Sequence, residues 1–191
     1  MKIIKTEIEG VFIIEPHLFE DERGYFCESF NEEHFRKLTG INTRFVQDNE
    51  SCSTTGVVRG LHFQLPPSAQ SKIVRCSQGE IMDVAVDIRR GSPTFLKSVS
   101  VILSGENHRQ LFIPRGFAHG FVVRRGDALV HYKCDNLYAP STERAILWND
   151  SQLNINWGIS AEQAILSKKD LNNSTLEELD TLFDYNVDYY A

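Results

Sequence analysis

Long apolar runs are missing from this chain of 191 residues. No stretch approaches the roughly 20 residues that a membrane helix needs. The opening MKIIKTEIEG has no extended apolar core of the signal-peptide kind, so the expected location is the cytoplasm. The four cysteines, Cys27, Cys52, Cys76 and Cys134, form no C-x-x-C pair. They are expected as buried reduced thiols rather than a disulfide framework or a zinc site. Neither G-x-x-x-x-G-K-[ST] nor G-x-G-x-x-G occurs, which removes the usual phosphate and dinucleotide cradles. G-x-S-x-G is absent too, and with it the common cue for a serine hydrolase. A formal charge of -6 argues against a nucleic-acid surface, so an anionic ligand would need a local cationic pocket.

What is present is a succession of short strand-like runs. Turn residues recur about every 8–12 residues, as in a β-sandwich or barrel. In Ile81–Ile88, Met82, Val84, Val86 and Ile88 alternate with Ile81, Asp83, Ala85 and Asp87, which is period two. Lys97–Leu103, Arg109–Ile113, Ala118–Val123 and Leu129–Cys134 read as further strands, with Gln78-Gly79 and Arg125-Gly126-Asp127 among the turns. A run from Tyr25 to Phe30 reads as a strand. Asn31–Leu38 reads as a helix capped by Asn31 and ended by Gly40. After Asp150 the character changes. Ser160–Gln163 and Ser174–Glu177 fit capping boxes, and Leu176, Leu179, Leu182 and Phe183 would share one side of a helix. The expectation is one domain over residues 1–191, with a barrel core at about 11–150 and a helical tail at about 151–191.

The chemistry concentrates in VVRGLHFQLPPSAQSKIVR, residues 57–75. Two alternating runs around Pro66-Pro67 read as a hairpin that aims one base, His62, and several cations at one place. A lone strand histidine is usually just a packed or surface residue. Beside Arg59 and Lys72 it becomes a candidate base for an anionic substrate. Arg23, Arg59, Arg75, Arg109 and Lys72 are the cations expected near the lumen. The metal alternative lacks its usual signal, an H-x-H pair: His62 and His119 each stand alone. Tyr132 and Tyr138 are either packing residues or, in a polar barrel, proton donors.

The longer motifs are specific. DNESCSTTGVVRGLHFQLPPSAQSKIVR, GEIMDVAVDIRRGSPTF, RQLFIPRGFAHGF, YKCDNLYAP, WND and LSKKD occur in that order between about Val11 and Asp170. Together they resemble the cupin-like dTDP-4-dehydrorhamnose 3,5-epimerase family. The resemblance implies a mainly β, cupin-like β-jelly-roll barrel with short N-terminal and C-terminal helices, acting as a homodimer without metal or organic cofactor. Its implied substrate is dTDP-4-dehydro-6-deoxy-D-glucose, inverted at C3 and C5.

By match to the motifs, His62 would be the base, Asp170 its orienting carboxylate and Tyr132 the opposing acid, while Lys72 would hold the C4 oxyanion. Asp83 is the second choice for the carboxylate. Arg23, Glu28, Gln47, Asn49, Arg59, His119, Glu143 and Lys169 match substrate-binding positions, and Tyr138 matches a residue stacking on thymine. His131, Ser151 and Gly158 depart from the pattern, as does the Arg124-Arg125 turn, and none of these is a proposed acid or base. Relatives that invert one carbon alone share this scaffold. A nucleotide-sugar-binding module without catalysis is the non-enzymatic alternative, and a metal-dependent cupin is a weaker one.

Overall fold

The computed structural model describes Met1–Tyr190. In chain order the strands are β1 (Lys2–Lys5), β2 (Phe12–Glu15), β3 (Leu18–Asp21), β4 (Gly24–Cys27), β5 (Gln47–Ser53), β6 (Val58–Gln64), β7 (Lys72–Asp87), β8 (Arg89–Arg90), β9 (Ser98–Ser104), β10 (Gln110–Ile113), β11 (Phe117–Cys134), β12 (Glu143–Ala145) and β13 (Phe183–Asp184). One α-helix, α1, spans Glu32–Thr39.

Two strands are long enough to serve both walls of the barrel. The first half of β7 pairs with β10 and the second with β9. The first half of β11 pairs with β6 and the second with β5. Since β7 and β11 also pair with each other along their length, two sheets result. Sheet one runs β1-β2-β10-β7-β11-β5, and sheet two runs β9-β7-β11-β6-β12. This is the antiparallel double-sheet arrangement of a jelly roll, and the cupin-like fold is as expected.

Two expected turns are corners inside these continuous strands. At Gln78-Gly79 and Arg125-Gly126-Asp127 the β7–β11 register shifts, and the strands bend together from one sheet into the other. Gly79 is required there. A Cβ on it would lie 2.6 Å from the Asp127 carbonyl oxygen. The bulges also change which residues face inward. On β7, Val74 and Cys76 line the inner core before the corner, and Ile81 and Ala85 after it. On β11 the inner set changes from Phe117, Phe121 and Val123 to Ala128 and Val130.

The hairpin expected between residues 57 and 75 does not form. β11 lies between β6 and β7 in the sheet order. Sequence neighbours on either side of Pro66-Pro67 therefore belong to facing walls.

The outer faces are covered differently. On sheet one, α1 seats fully buried Phe35 against Ile14, Ile73 and Phe112. Asn31 accepts the His34 amide at its N-terminus, and Gly40 closes the C-terminus with φ 73°. Truncating such a phenylalanine costs about 3–5 kcal/mol. On sheet two, Val58, Leu61, Phe63, Val84 and Val86 are covered by Trp148, Trp157, Leu176 and Phe183 from the C-terminal third. The expected tail helix is reduced to two 3-10 turns, Asp170–Asn172 and Leu176–Glu178. The second capping box lies one residue later than expected, at Thr175 and Glu178. Its leucines serve as separate plugs, because the chain is pinned by bridges Val57–Ile165 and Ile146–Ser174 instead of coiling on itself. Tyr25 to Phe30 is likewise only partly strand, ending at Cys27.

Candidate active site

The site begins where β6 meets the first half of β11. Gly60 and Gly120 allow these strands to come unusually close: a Cβ on Gly60 would lie 2.6 Å from Gly120 Cα, and one on Gly120 would lie 2.6 Å from the Arg59 carbonyl oxygen. The close approach places His62 opposite His119 as cross-strand partners. Alternation sinks Leu61 and Phe63 into the outer core and turns His62 and Gln64 towards the lumen.

Each histidine is bound to its own carboxylate. His62 Nε2 lies 2.6 Å from Asp170 Oδ1. An ionised carboxylate only accepts, so this nitrogen carries the hydrogen and the other ring nitrogen is left basic. Asp170 is buried at 4% exposure. Its Oδ2 accepts the Ser167 hydroxyl at 2.8 Å, and Asn173 donates to the Gly60 carbonyl at 3.3 Å, tying this turn to β6. Burial opposes ionisation of Asp170, yet the bonds from His62 and Ser167 outweigh it and hold its pKa below the usual 3.8. The other pair is His119 Nε2 with Asp83 Oδ1 at 2.7 Å. Burial depresses the His119 pKa despite Asp83, and Lys72 and His62 push it the same way. Asp83 therefore serves His119, and the expected first choice, Asp170, is the carboxylate at His62.

From the facing wall, sheet one contributes Lys72 on β7 and Tyr132 on β11. A cavity of about 170 Å³ is lined by Ser51, Arg59, His62, Lys72, Tyr132 and Asp170, with His119 and Phe121 on its wall. It adjoins a second space of about 300 Å³ that shares His62, Lys72 and Tyr132 and opens past Gln47, Asn49, Tyr138 and Glu143. Burial lowers the Lys72 pKa, partly offset by Cys134, Asp83 and Glu143. Burial, reinforced by Cys134, raises that of Tyr132 and keeps the phenol protonated at neutral pH. Imidazole, phenol and ammonium thus converge on one space.

The outer rim is a polar network. The Tyr138 hydroxyl donates to Glu143 Oε2 at 2.7 Å, and Lys169 Nζ reaches the same oxygen at 2.7 Å. The Tyr138 amide donates to Gln47 Oε1 at 2.9 Å, and Gln47 in turn bonds Asn49. Tyr138 is 53% exposed, a ring presented to solvent at the mouth.

Several expected residues lie elsewhere. Arg23 sits in the exposed β3–β4 hairpin, bonded to Asp21, and Glu28 bonds Asn31; neither lines the cavity. Arg75 is three residues from Lys72, which on a strand means the opposite face, and it lines an outer groove with Ile73 and His131. Arg109 pairs with Glu15 at 2.9 Å. Of the five cations expected near the lumen, Arg59 and Lys72 line it. Gln64, Gln70, Ser51 and Ser167 were not singled out by sequence. Gln64 holds the rim loop by accepting the Ala139 amide at 2.8 Å and donating to the Ser68 and Leu137 carbonyls. Its signal was its position two residues after His62. That of Ser167 was the S-x-x-D spacing. The cysteines are unpaired, but Cys52 is exposed and Cys27 partly so, against the expectation of burial. Among the described residues no group of three His, Cys, Asp or Glu side chains is placed to hold a metal ion.

A jelly-roll barrel whose lumen gathers a carboxylate-backed imidazole, a phenol and an ammonium has the groups that a cupin-like isomerase working by acid–base chemistry needs. Residues 5–178 match the family model described as dTDP-4-dehydrorhamnose 3,5-epimerase. The chain is 54% identical over 180 residues to the dTDP-4-dehydrorhamnose 3,5-epimerase of Shigella flexneri, covering 94% of this chain and 98% of that one. Its fold is similar to the dTDP-6-deoxy-D-glucose-3,5-epimerase of Legionella pneumophila in complex with dTDP-4-keto-L-rhamnose, with TM-score 0.93, 49% identity and coverage of 97% and 99%. It is similar also to a 3'-monoepimerase from Streptomyces bikiniensis in complex with dTDP-quinovose, with TM-score 0.87, 35% identity and coverage of 94% and 92%. The chain belongs to the dTDP-4-dehydrorhamnose 3,5-epimerase family.

Proposed function

We propose that this chain converts dTDP-4-dehydro-6-deoxy-D-glucose into dTDP-4-dehydro-L-rhamnose by inverting C3 and C5, with its own side chains moving the protons. The observation that carries this reading is the placement of His62 and Tyr132 on facing sheets around one cavity, with Lys72 beside them. Both carbons flank the C4 ketone, so the same carbonyl acidifies both C–H bonds. His62 removes the proton, and the electron pair moves into the carbonyl as an enolate. Asp170 stabilises the imidazolium that forms. The Lys72 ammonium holds the enolate oxygen, and one such donor is worth about 2.7–4 kcal/mol in the transition state. Tyr132 then delivers a proton from the other wall, which inverts the centre. Turning the substrate, or its ring, presents the second carbon to the same pair.

Arg59, His119, Gln47, Asn49, Glu143 and Lys169 surround the sugar and diphosphate in this reading, and Tyr138 stacks on the thymine, a contact worth roughly 1–3 kcal/mol by analogy with base–aromatic stacking elsewhere. The working unit is a homodimer. Arg23 and Glu28 stand off the cavity of their own chain, so a substrate-binding role for them requires a second copy. The β3–β4 hairpin also leaves Phe19, Tyr25 and Phe26 at 57%, 57% and 69% exposure, an apolar surface suited to burial against a partner. Among the described residues no helix is long and apolar enough to cross a membrane. The unpaired thiols and a nucleotide-sugar substrate agree with a cytoplasmic location.

Incubation with the substrate in D2O, followed by mass spectrometry, tests the reaction. Deuterium at C3 and C5, lost in His62→Ala, is the expected result; incorporation at neither carbon overturns it. The second reading, inversion of C3 alone, draws on the structural likeness to the Streptomyces monoepimerase and would give deuterium at one carbon only.

A further inference from the structure

The segment beyond residue 178 lies outside the family match. Here it crosses the outer face of sheet two. Phe183 is buried against Phe63 in that sheet's outer core, and β13 pairs in parallel with β8. Tyr189 stands edge-on to Phe183 at 4.9 Å, and its hydroxyl accepts the Asp184 amide at 2.7 Å. The chain then arrives at Ser71, the residue immediately before Lys72. Tyr190 Oη lies 2.6 Å from Ser71 Oγ and accepts the Arg115 amide at 3.2 Å. The Arg115 guanidinium sits 5.0 Å from the Tyr190 ring centroid and donates to the Tyr189 carbonyl.

Those contacts converge on the start of β7, where Lys72 pairs with Cys134 on one side and Ile113 on the other. β7 begins at Lys72, in register with Cys134, where β11 stops. Just outside the ladder, the fully buried Ser71 donates its amide to Asp135 Oδ1 at 2.6 Å, and the Asp135 amide returns a bond to the Ser71 carbonyl at 3.2 Å. Asp135 Oδ2 accepts Thr43 at 2.8 Å and Arg115 Nε at 3.1 Å. Tyr190 thus touches both Ser71 and Arg115, the two residues that bracket Asp135.

We propose that residues 183–190 form a clasp in which Tyr190, through Ser71, Arg115 and Asp135, fixes the end of β7 and so positions Lys72 in the cavity. Tyr190 is a positioning residue and does not touch the substrate. The inference rests on the role given above to Lys72. A buried hydroxyl that loses its partner drives local rearrangement, and a shift of about 1 Å in a group bearing on the reacting atoms costs on the order of a hundredfold in rate.

The test is a double-mutant cycle in the full-length enzyme, read by deuterium incorporation and steady-state kinetics. Tyr190→Phe, and separately a chain ending at Asp188, are expected to lower kcat roughly tenfold to a hundredfold with KM little changed. Val187→Ala, at an exposed position of the same segment, should have no effect. Added to Lys72→Ala, Tyr190→Phe should cost little more, because both act through one ammonium. Undiminished kcat in Tyr190→Phe, a loss matching the loss of folded protein in a thermal melt, or full additivity with Lys72→Ala each overturns the clasp. Absence of exchange in the parent enzyme would instead overturn the reaction, so the two failures are distinct.

Discussion

His62 and His119 are cross-strand partners, and each is bonded through Nε2 to a different carboxylate, Asp170 at 2.6 Å and Asp83 at 2.7 Å. The two pairs differ in setting. His62 has its side chain 27% exposed towards the cavity, and that of His119 is 9% exposed. Asp170→Asn should therefore lower kcat by about 10²–10⁴, the range of a general base deprived of its support. Asp83→Asn should act mainly on KM, because in the proposed reaction His119 holds substrate and does not take the proton. Equal effects of the two substitutions on kcat would contradict this division of labour.

In the proposed reaction, Tyr132 separates proton removal from inversion. In Tyr132→Phe, His62 still abstracts a proton and can return a deuteron on the same face. Deuterium wash-in should persist while epimerised product falls by about 10²–10⁴. Mass spectrometry and product analysis on the same samples decide it; simultaneous loss of wash-in and product would place Tyr132 elsewhere in the reaction.

The alkaline limb of activity should belong to Lys72. Burial holds its pKa below the ordinary 10.5, whereas burial raises that of Tyr132 above 10.0. As pH rises, loss of the ammonium should bring kcat down at a pH below the ordinary lysine value. Lys72→Arg keeps a cation across this range. Its overall rate should be lower, but its alkaline fall should shift to higher pH, because the guanidinium keeps its charge. A pH–rate profile of both enzymes is the measurement. An unshifted limb would assign it to another group.

Much of this was legible in the sequence where local pattern alone decides. Period two in Ile81–Ile88 described a strand buried on both faces, and the motif around Asn31 and Gly40 gave α1 and its caps. Alternation along β6 alone puts His62 two positions from Gln64 and so on the same side of the strand, where the structure has both. What failed depended on distant partners. Residues Gly79 and Gly126 make turns as readily as bulges, and only the pairing of β7 with β11 decides between them. Proximity in sequence suggested a hairpin at 57–75, but β11, some fifty residues later, intervenes. Asp170 lies 108 positions from His62, beyond the reach of any periodicity, and was found through motif resemblance alone. The leucines of the tail had helical spacing, yet the apolar surface of sheet two offered each of them a separate socket.

The paired corners in β7 and β11 have one more consequence. Inward-facing positions are odd-numbered on β11 before its corner and even-numbered after it, so the spacing of catalytic groups is a matter of counting. Deleting Gly126 would leave His119 and His62 where they are while rotating Tyr132 out of the lumen, with His131 or Lys133 swung in to replace it. The same rotation would turn Ala128 and Val130 out of the inner core, so the deletion costs stability as well as leaving a base with no acid across from it. A single codon at a bend thus separates the two halves of the chemistry, and insertions or losses there should be far less tolerated than in the loop around Pro66-Pro67.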